Sequence, residues 1–320
     1  MGKGKNSGLG KGAEIVLKTC LAAKEGESAL VVTDTLTREI GEALFEKALE
    51  IGLQAVLMVM KPTGTPGAEP PGAVAEAMKH CDLVLCPTEH SLTHTRARKE
   101  ASDSGARVAT LPGITARMFS RGAITADYRE VADLSDRLTE LLNRAETARI
   151  EKGGAVLTLS IKGRNGISSR GLYHSPGASG NLPTGEAYIA PVEGTARGEL
   201  IIDGSIGRLG LVQAPLKVIV ENGEAVEFIG PDAGRLQELL GPNKEARNLG
   251  ELGIGTNPKA RLIGNILEDE KVYGTVHVAF GTNATFGGRV QAGIHVDGIM
   301  LKPKLYLDGK LVVADGKIII

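Results

Sequence analysis

The hydrophobic positions in the first half of the chain fall into two alternating rhythms. Ala13 to Ala23, Arg38 to Gly52, Ala73 to His80 and Ser91 to Ser102 repeat apolar residues at helical spacing. Thr35 or Thr37 is placed to cap the second of these helices. Between them stand runs that are apolar throughout: Ala29 to Thr33 (ALVVT), Ala55 to Met60, Leu83 to Cys86 and Ala106 to Leu111. Strands without a polar face are covered on both sides. Their alternation with helices predicts an α/β domain, doubly wound around a parallel sheet. Pro62 to Gly72 reads as a loop. Val131 to Ile150 reads as a long, charged, amphipathic helix that ends the first domain or links it to the second.

The period changes beyond residue 150. Ala155 to Ile161 (AVLTLSI) alternates at the strand period of two. Asn222-Gly223, Asp308-Gly309 and Asp315-Gly316 sit between β-type runs as hairpin signals. Gly230 to Leu240 is helical, with Asp232 near its start. This half predicts an α+β domain of mostly antiparallel strands. A chain of 320 residues exceeds one ordinary core, so we expect two domains, 1–150 and 151–320, dividing near residues 150 to 154.

Composition narrows the function. The net charge of −1 gives no basic excess for nucleic acid or an anionic membrane surface. Aromatic residues are 3% and Trp is absent, which argues against base-stacking platforms. The three cysteines, Cys20, Cys81 and Cys86, are too few for a disulfide framework. The first ten residues lack the apolar core of a secretory signal. A cytoplasmic protein with reduced thiols is expected. The lysines at 3, 5 and 11 read as a solvated tail.

Only six histidines occur, and two of them, His277 and His295, lie in strand-like segments flanked by glycine. Residues i and i+2 of a strand share a face, so His295 and Asp297 aim an imidazole and a carboxylate at one point. Glu251 stands within the apolar, glycine-rich NLGELGIGTN, where an acid is costly unless paired or bound to metal. With Glu270 these residues form a nitrogen/oxygen set suited to a catalytic metal ion rather than a structural zinc. Cys86, His90 and His94 are a second possible cluster if Ser91 onward is helical. They lack the H-E-x-x-H pattern, and a capping or interdomain role is the stronger reading. No G-x-S-x-G occurs, since Gly204-Ser205-Ile206-Gly207 has the wrong spacing, and no phosphate-binding glycine motif follows the first strand.

Four segments resemble the aminopeptidase T family, dinuclear metallopeptidases of the thermophilic leucyl aminopeptidase type: NLPTGEAYIAP (Asn181 to Pro191), ELGIGTNP (Glu251 to Pro258), ILEDEKVYGTVHVAFG (Ile266 to Gly281) and IHVDGI (Ile294 to Ile299). The resemblance implies that Glu186, Glu251, His277, His295 and Asp297 bind two divalent ions (Zn, Co or Mn), with Glu251 bridging. It implies that Glu270 is a ligand or the general base, that the substrate is a peptide losing its N-terminal residue, and that the protein is a homodimer. Glu193 and Glu268 are candidates to pair the substrate ammonium. Two departures stand out. Two extra residues separate Glu270 from His277, and the tyrosine expected shortly after the histidine motif is replaced by Thr282-Asn283-Ala284-Thr285-Phe286. Ring-cleaving dihydroxypyridine dioxygenases also resemble these peptidases, and for them His277, His295 and Asp297 would be the facial triad of a single Fe(II). The presence of Glu186 and Glu251 favours the hydrolase.

Overall fold

A computed structural model describes residues 7–320. Lys3 and Lys5 of the expected tail lie outside the described residues, and Lys11 lies in the helix Ser7–Glu14, which continues as a wider π-helical turn over Ile15–Cys20. The chain forms two compact units, one of residues 1–130 with 171–184, the other of residues 131–170 with 185–320.

The first unit holds a five-stranded parallel sheet in the order Gln54–Met60, Ser28–Asp34, Leu83–Thr88, Arg107–Pro112, Ser179–Asn181. Four of these are the apolar runs read from the sequence. Leu30, Val32, Val84, Cys86 and Val108 pack with Met78 and Ala101 of the intervening helices. The fifth strand comes from Ser-Gly-Asn, three residues with no apolar signal. The capping of Arg38–Glu50 differs from expectation. Thr37 is the N-cap residue but makes no side-chain cap bond. Asp34 accepts the Leu36 and Thr37 amides instead, at 2.9 and 3.1 Å. The fourth helix starts at Arg96, not Ser91, with Thr95 accepting from the Arg98 amide. His90 and His94 therefore do not stand one turn apart on a helix.

The second unit carries two antiparallel sheets of eight and seven strands. The expected helix over Val131 to Ile150 is shorter. It spans Tyr128–Arg144, and the chain continues as the strand Thr147–Lys152, paired with Ala155–Ser160. Gly153-Gly154, where the sequence suggested a domain division, is the turn of that hairpin, with φ of 54° and 86°. Both glycines adopt the left-handed region that side chains avoid. The three Asn-Gly and Asp-Gly hairpin signals each join paired strands. One core cluster draws Leu157, Leu200 and Val218 from the eight-stranded sheet and Leu252, Val278 and Val296 from the seven-stranded sheet. No helix among the described residues is long and apolar enough to cross a membrane.

Candidate metal centre

The seven-stranded sheet sorts its side chains by register. Neighbouring strands run Glu186–Ile189, Leu249–Gly255, Val276–Gly281 and His295–Met300. Directly opposed residues of an antiparallel pair share a face. Leu252 pairs with Ile189 and Val278, and Ile254 with Ala187 and Val276, which gives the core face. On the other face Gly255 opposes Glu186, Gly253 opposes His277, and Ala279 opposes both Glu251 and Asp297. His295, two residues before Asp297, shares that face. Five ligand-type residues from four adjacent strands thus gather on one side of one sheet.

Small residues make room for them. A Cβ on Gly253 would stand 2.0 Å from His277 Nε2, so the imidazole lies across that backbone. A Cβ on Gly255 would meet the carbonyl of Val272 at 2.1 Å, where the segment carrying Glu270 and Lys271 returns over the sheet. These glycines are required for space and not for an unusual φ.

The ligand-type atoms form two groups, Glu186–Glu251–His277 and Glu251–His295–Asp297, each with atoms within 4.8 Å of one another. Glu251 belongs to both. Its Oε1 is 3.3 Å from His277 Nε2 and its Oε2 is 3.5 Å from His295 Nε2. His277 Nε2 lies 3.4 Å from Glu186 Oε2, and His295 Nε2 lies 3.4 Å from Asp297 Oδ1. His295 Nδ1 donates to the Thr282 carbonyl at 2.9 Å, so Nε2 is the nitrogen turned to Glu251 and Asp297. Glu186, Glu251, His277 and Asp297 are buried, and His295, a third exposed, is where the cluster meets solvent.

The electrostatics ask for cations. Burial disfavours the charged form of His277, but Glu251, Glu186 and Glu270 outweigh it and raise its pKa to about 9. Burial opposes charge on His295 too, and Asp297 with Glu251 raises it to about 10. Asp297 is held below the usual carboxylate range against its burial, first by His295. Glu186 Oε2 and His277 Nδ1 are buried without a hydrogen-bond partner. A divalent ion in each group would satisfy the orphaned carboxylate oxygen and replace the imidazole protons, so the residues fit two metal ions.

Glu270 stands at this site but in neither group, and burial raises its pKa to about 8 against the pull of Lys271. Sequence reasoning missed Lys271. The residue is 1% exposed, and its ammonium pairs with Glu186 Oε1 at 2.6 Å and with Glu270. The only signal was its place beside Glu270 in the matched motif. The candidates for the substrate ammonium are already engaged. Glu193 is bound by Arg164, Asn283 and the Arg289 amide, and Glu268 accepts from the Arg261 amide. In the segment 282–286, where a tyrosine was expected, Phe286 sets its ring 5.9 Å edge-on from His295 and 5.5 Å from Tyr188. Cys86, His90 and His94 form no ligand group among the described residues.

A family model described as NicX, 2,5-dihydroxypyridine 5,6-dioxygenase, matches residues 12–320. The chain belongs to this family. The resemblance to aminopeptidase T holds as well. Among curated proteins the chain is similar to aminopeptidase PepS of Streptococcus thermophilus, 26% identical over 218 residues, 61% of this chain and 52% of that protein. It is also similar to the 2,5-dihydroxypyridine 5,6-dioxygenase of Pseudomonas putida KT2440, 23% identical over 271 residues, 77% of this chain and 73% of that protein. The match thus spans about half the length of the peptidase. Two solved structures share the fold: the P. putida dioxygenase, with a TM-score of 0.81, 19% identity and coverage of 98% and 97%, and AmpT from Thermus thermophilus, with 0.70, 18% and coverage of 98% and 99%.

Proposed function

We propose that the protein is a metal-dependent aminopeptidase holding two divalent ions, Zn, Co or Mn. Glu186 and His277 hold one, His295 and Asp297 the other, and Glu251 bridges them. The observation that carries this reading is the shared Glu251, whose two oxygens face two different imidazoles. Two such ions supply Lewis-acid polarisation of the scissile carbonyl and a water that ionises near neutrality. Glu270, its carboxyl poised near neutral pH beside the ligands, takes the proton of the attacking water and returns it to the leaving amine. Phe286, edge-on to His295 and packed against Tyr188, puts aromatic surface beside the ligands, which suits an apolar substrate side chain. The protein works in the cytoplasm, as a homodimer.

The test is metal content per chain after mild purification, with Glu251→Gln beside the wild type. We expect about two divalent ions, falling to one or fewer in the variant, and release of N-terminal residues from short peptides.

The family match favours a second reading, ring cleavage of a dihydroxypyridine on one Fe(II) held by His277, His295 and Asp297. That triad needs both imidazoles on one ion, whereas here each belongs to a separate group. One iron per chain, indifferent to Glu251→Gln, with oxygen uptake on 2,5-dihydroxypyridine, would replace the first reading with the second.

A further inference from the structure

Four carboxylates crowd this site, from Glu186, Glu251, Glu270 and Asp297, and one side-chain cation that is not a ligand stands among them. Lys271 is among the largest fully buried side chains of the protein. A buried ammonium persists only where its donors are taken up by charge. Here Nζ spans two acids. It takes Glu186 Oε1 at 2.6 Å and the carboxylate of Glu270, its own chain neighbour. Glu186 is left with one buried oxygen, Oε2, which has no hydrogen-bond partner and points at His277 Nε2.

We propose that Lys271 is a positioning residue that limits what the acids of the site do. By occupying Oε1 it makes Glu186 a one-oxygen ligand. By pairing with Glu270 it keeps that carboxylate out of the ligand set and free to move protons. It also sets the charge of the site. The inference rests on the dinuclear reading above, and it adds an opposite pull on binding and turnover: the lysine weakens metal binding in order to keep a base available.

The experiment is chelator competition on metal-loaded protein, wild type against Lys271→Met, with peptide turnover measured beside it. Without the ammonium, Glu270 and the second oxygen of Glu186 are free to ligate. Affinity for hard divalent ions rises with ligand charge, so the EDTA concentration that strips half the Mn2+ should rise roughly tenfold. Turnover should fall while KM changes little. A lysine that serves only packing predicts the reverse for the metal, with equal or easier stripping, and that result overturns the proposal. The double variant Lys271→Met with Glu270→Gln should return the stripping midpoint toward wild type. Should Lys271→Met fail to fold, Lys271→Gln carries the same comparison. Wild-type protein that retains no divalent ion sinks the metallopeptidase reading itself. Wild type that holds two ions beside an unchanged Lys271→Met sinks only this inference.

Discussion

The strands Ser28–Asp34 and Leu249–Gly255 are each seven residues long and almost wholly buried, yet they do different work. The first is apolar on both faces until its carboxyl end. There Asp34 sits fully buried, and backbone amides answer it: Leu36, Thr37 and, at 2.6 Å, Glu89. The second is apolar on one face only. Its other face carries Glu251 among glycines, and what faces that carboxylate is a pair of imidazole nitrogens. Burial of an acid therefore does not mark a functional site. The mark is a buried acid that the backbone leaves unanswered and that only other ionisable side chains meet.

Removing a ligand should separate the two regions most sharply. Asp297→Ala or His277→Ala should lower turnover by ~10^3-fold or more, the scale of losing several kcal/mol of transition-state stabilisation. The bound metal should fall with it, while far-UV circular dichroism stays native. Full activity in both variants would mean that the chemistry lies elsewhere.

A subtler break leaves every ligand in place. Gly253→Ala adds a Cβ that must displace the His277 ring, because the two would stand 2.0 Å apart. We expect metal affinity to fall by roughly 10- to 100-fold, as when the support of a ligand is lost. An alanine variant with unchanged metal content would show that the imidazole has room that the backbone does not suggest.

The parallel counterpart is Asp34→Ala. It strips three amides of their acceptor and should cost about 1–3 kcal/mol of stability, read from denaturant midpoints. Metal content should not change. Loss of bound metal in this variant would end the division of labour between the two strands.

Much of this comparison was legible in the sequence. Four of the five parallel strands announced themselves as continuous apolar runs; three are buried on both faces, while the edge strand Gln54–Met60 leaves Val56 and Val59 exposed, so its apolar run did not mean cover on both sides. The i, i+2 spacing of His295 and Asp297 puts both on one face of any strand that contains them. What stayed hidden depends on pairing across the chain. Ser179–Asn181 has no apolar pattern and becomes a strand only by docking beside Arg107–Pro112. Thr147–Lys152 was absorbed into the preceding helix because Ala148 and Ile150 alone give too short a window to tell period two from 3.6. Thr37 looked like a cap, but its hydroxyl donates to the Pro87 carbonyl at 2.7 Å, and Asp34 binds the amides of Leu36 and Thr37 just before the helix. Lys271 was invisible as a functional group because lysine is ordinarily a surface residue, and nothing local reports that Glu186, 85 positions earlier, will lie across from it.

The smallest expected effect concerns the thiols of the parallel-sheet unit. Burial pushes the Cys86 thiol up to about 12 from its ordinary 9.0 and raises Cys20 as well; Cys81 is raised too, by burial and then by Asp82, but it is only half-buried and so within reach of a reagent. The thiolate is the reactive form, so iodoacetamide near pH 8 should label Cys81 and leave the other two until the protein unfolds. The same shift has a sign for stability. A buried thiol keeps its proton where the unfolded chain has lost it, so the stabilisation is complete below pH 9 and drains away as the pH climbs toward 12. Metal removal should not change this pattern if the unit is a packing module. Cys86 labelling that appears on adding EDTA would show that its folding depends on the metal centre, and the contrast between the two strands would have to be redrawn.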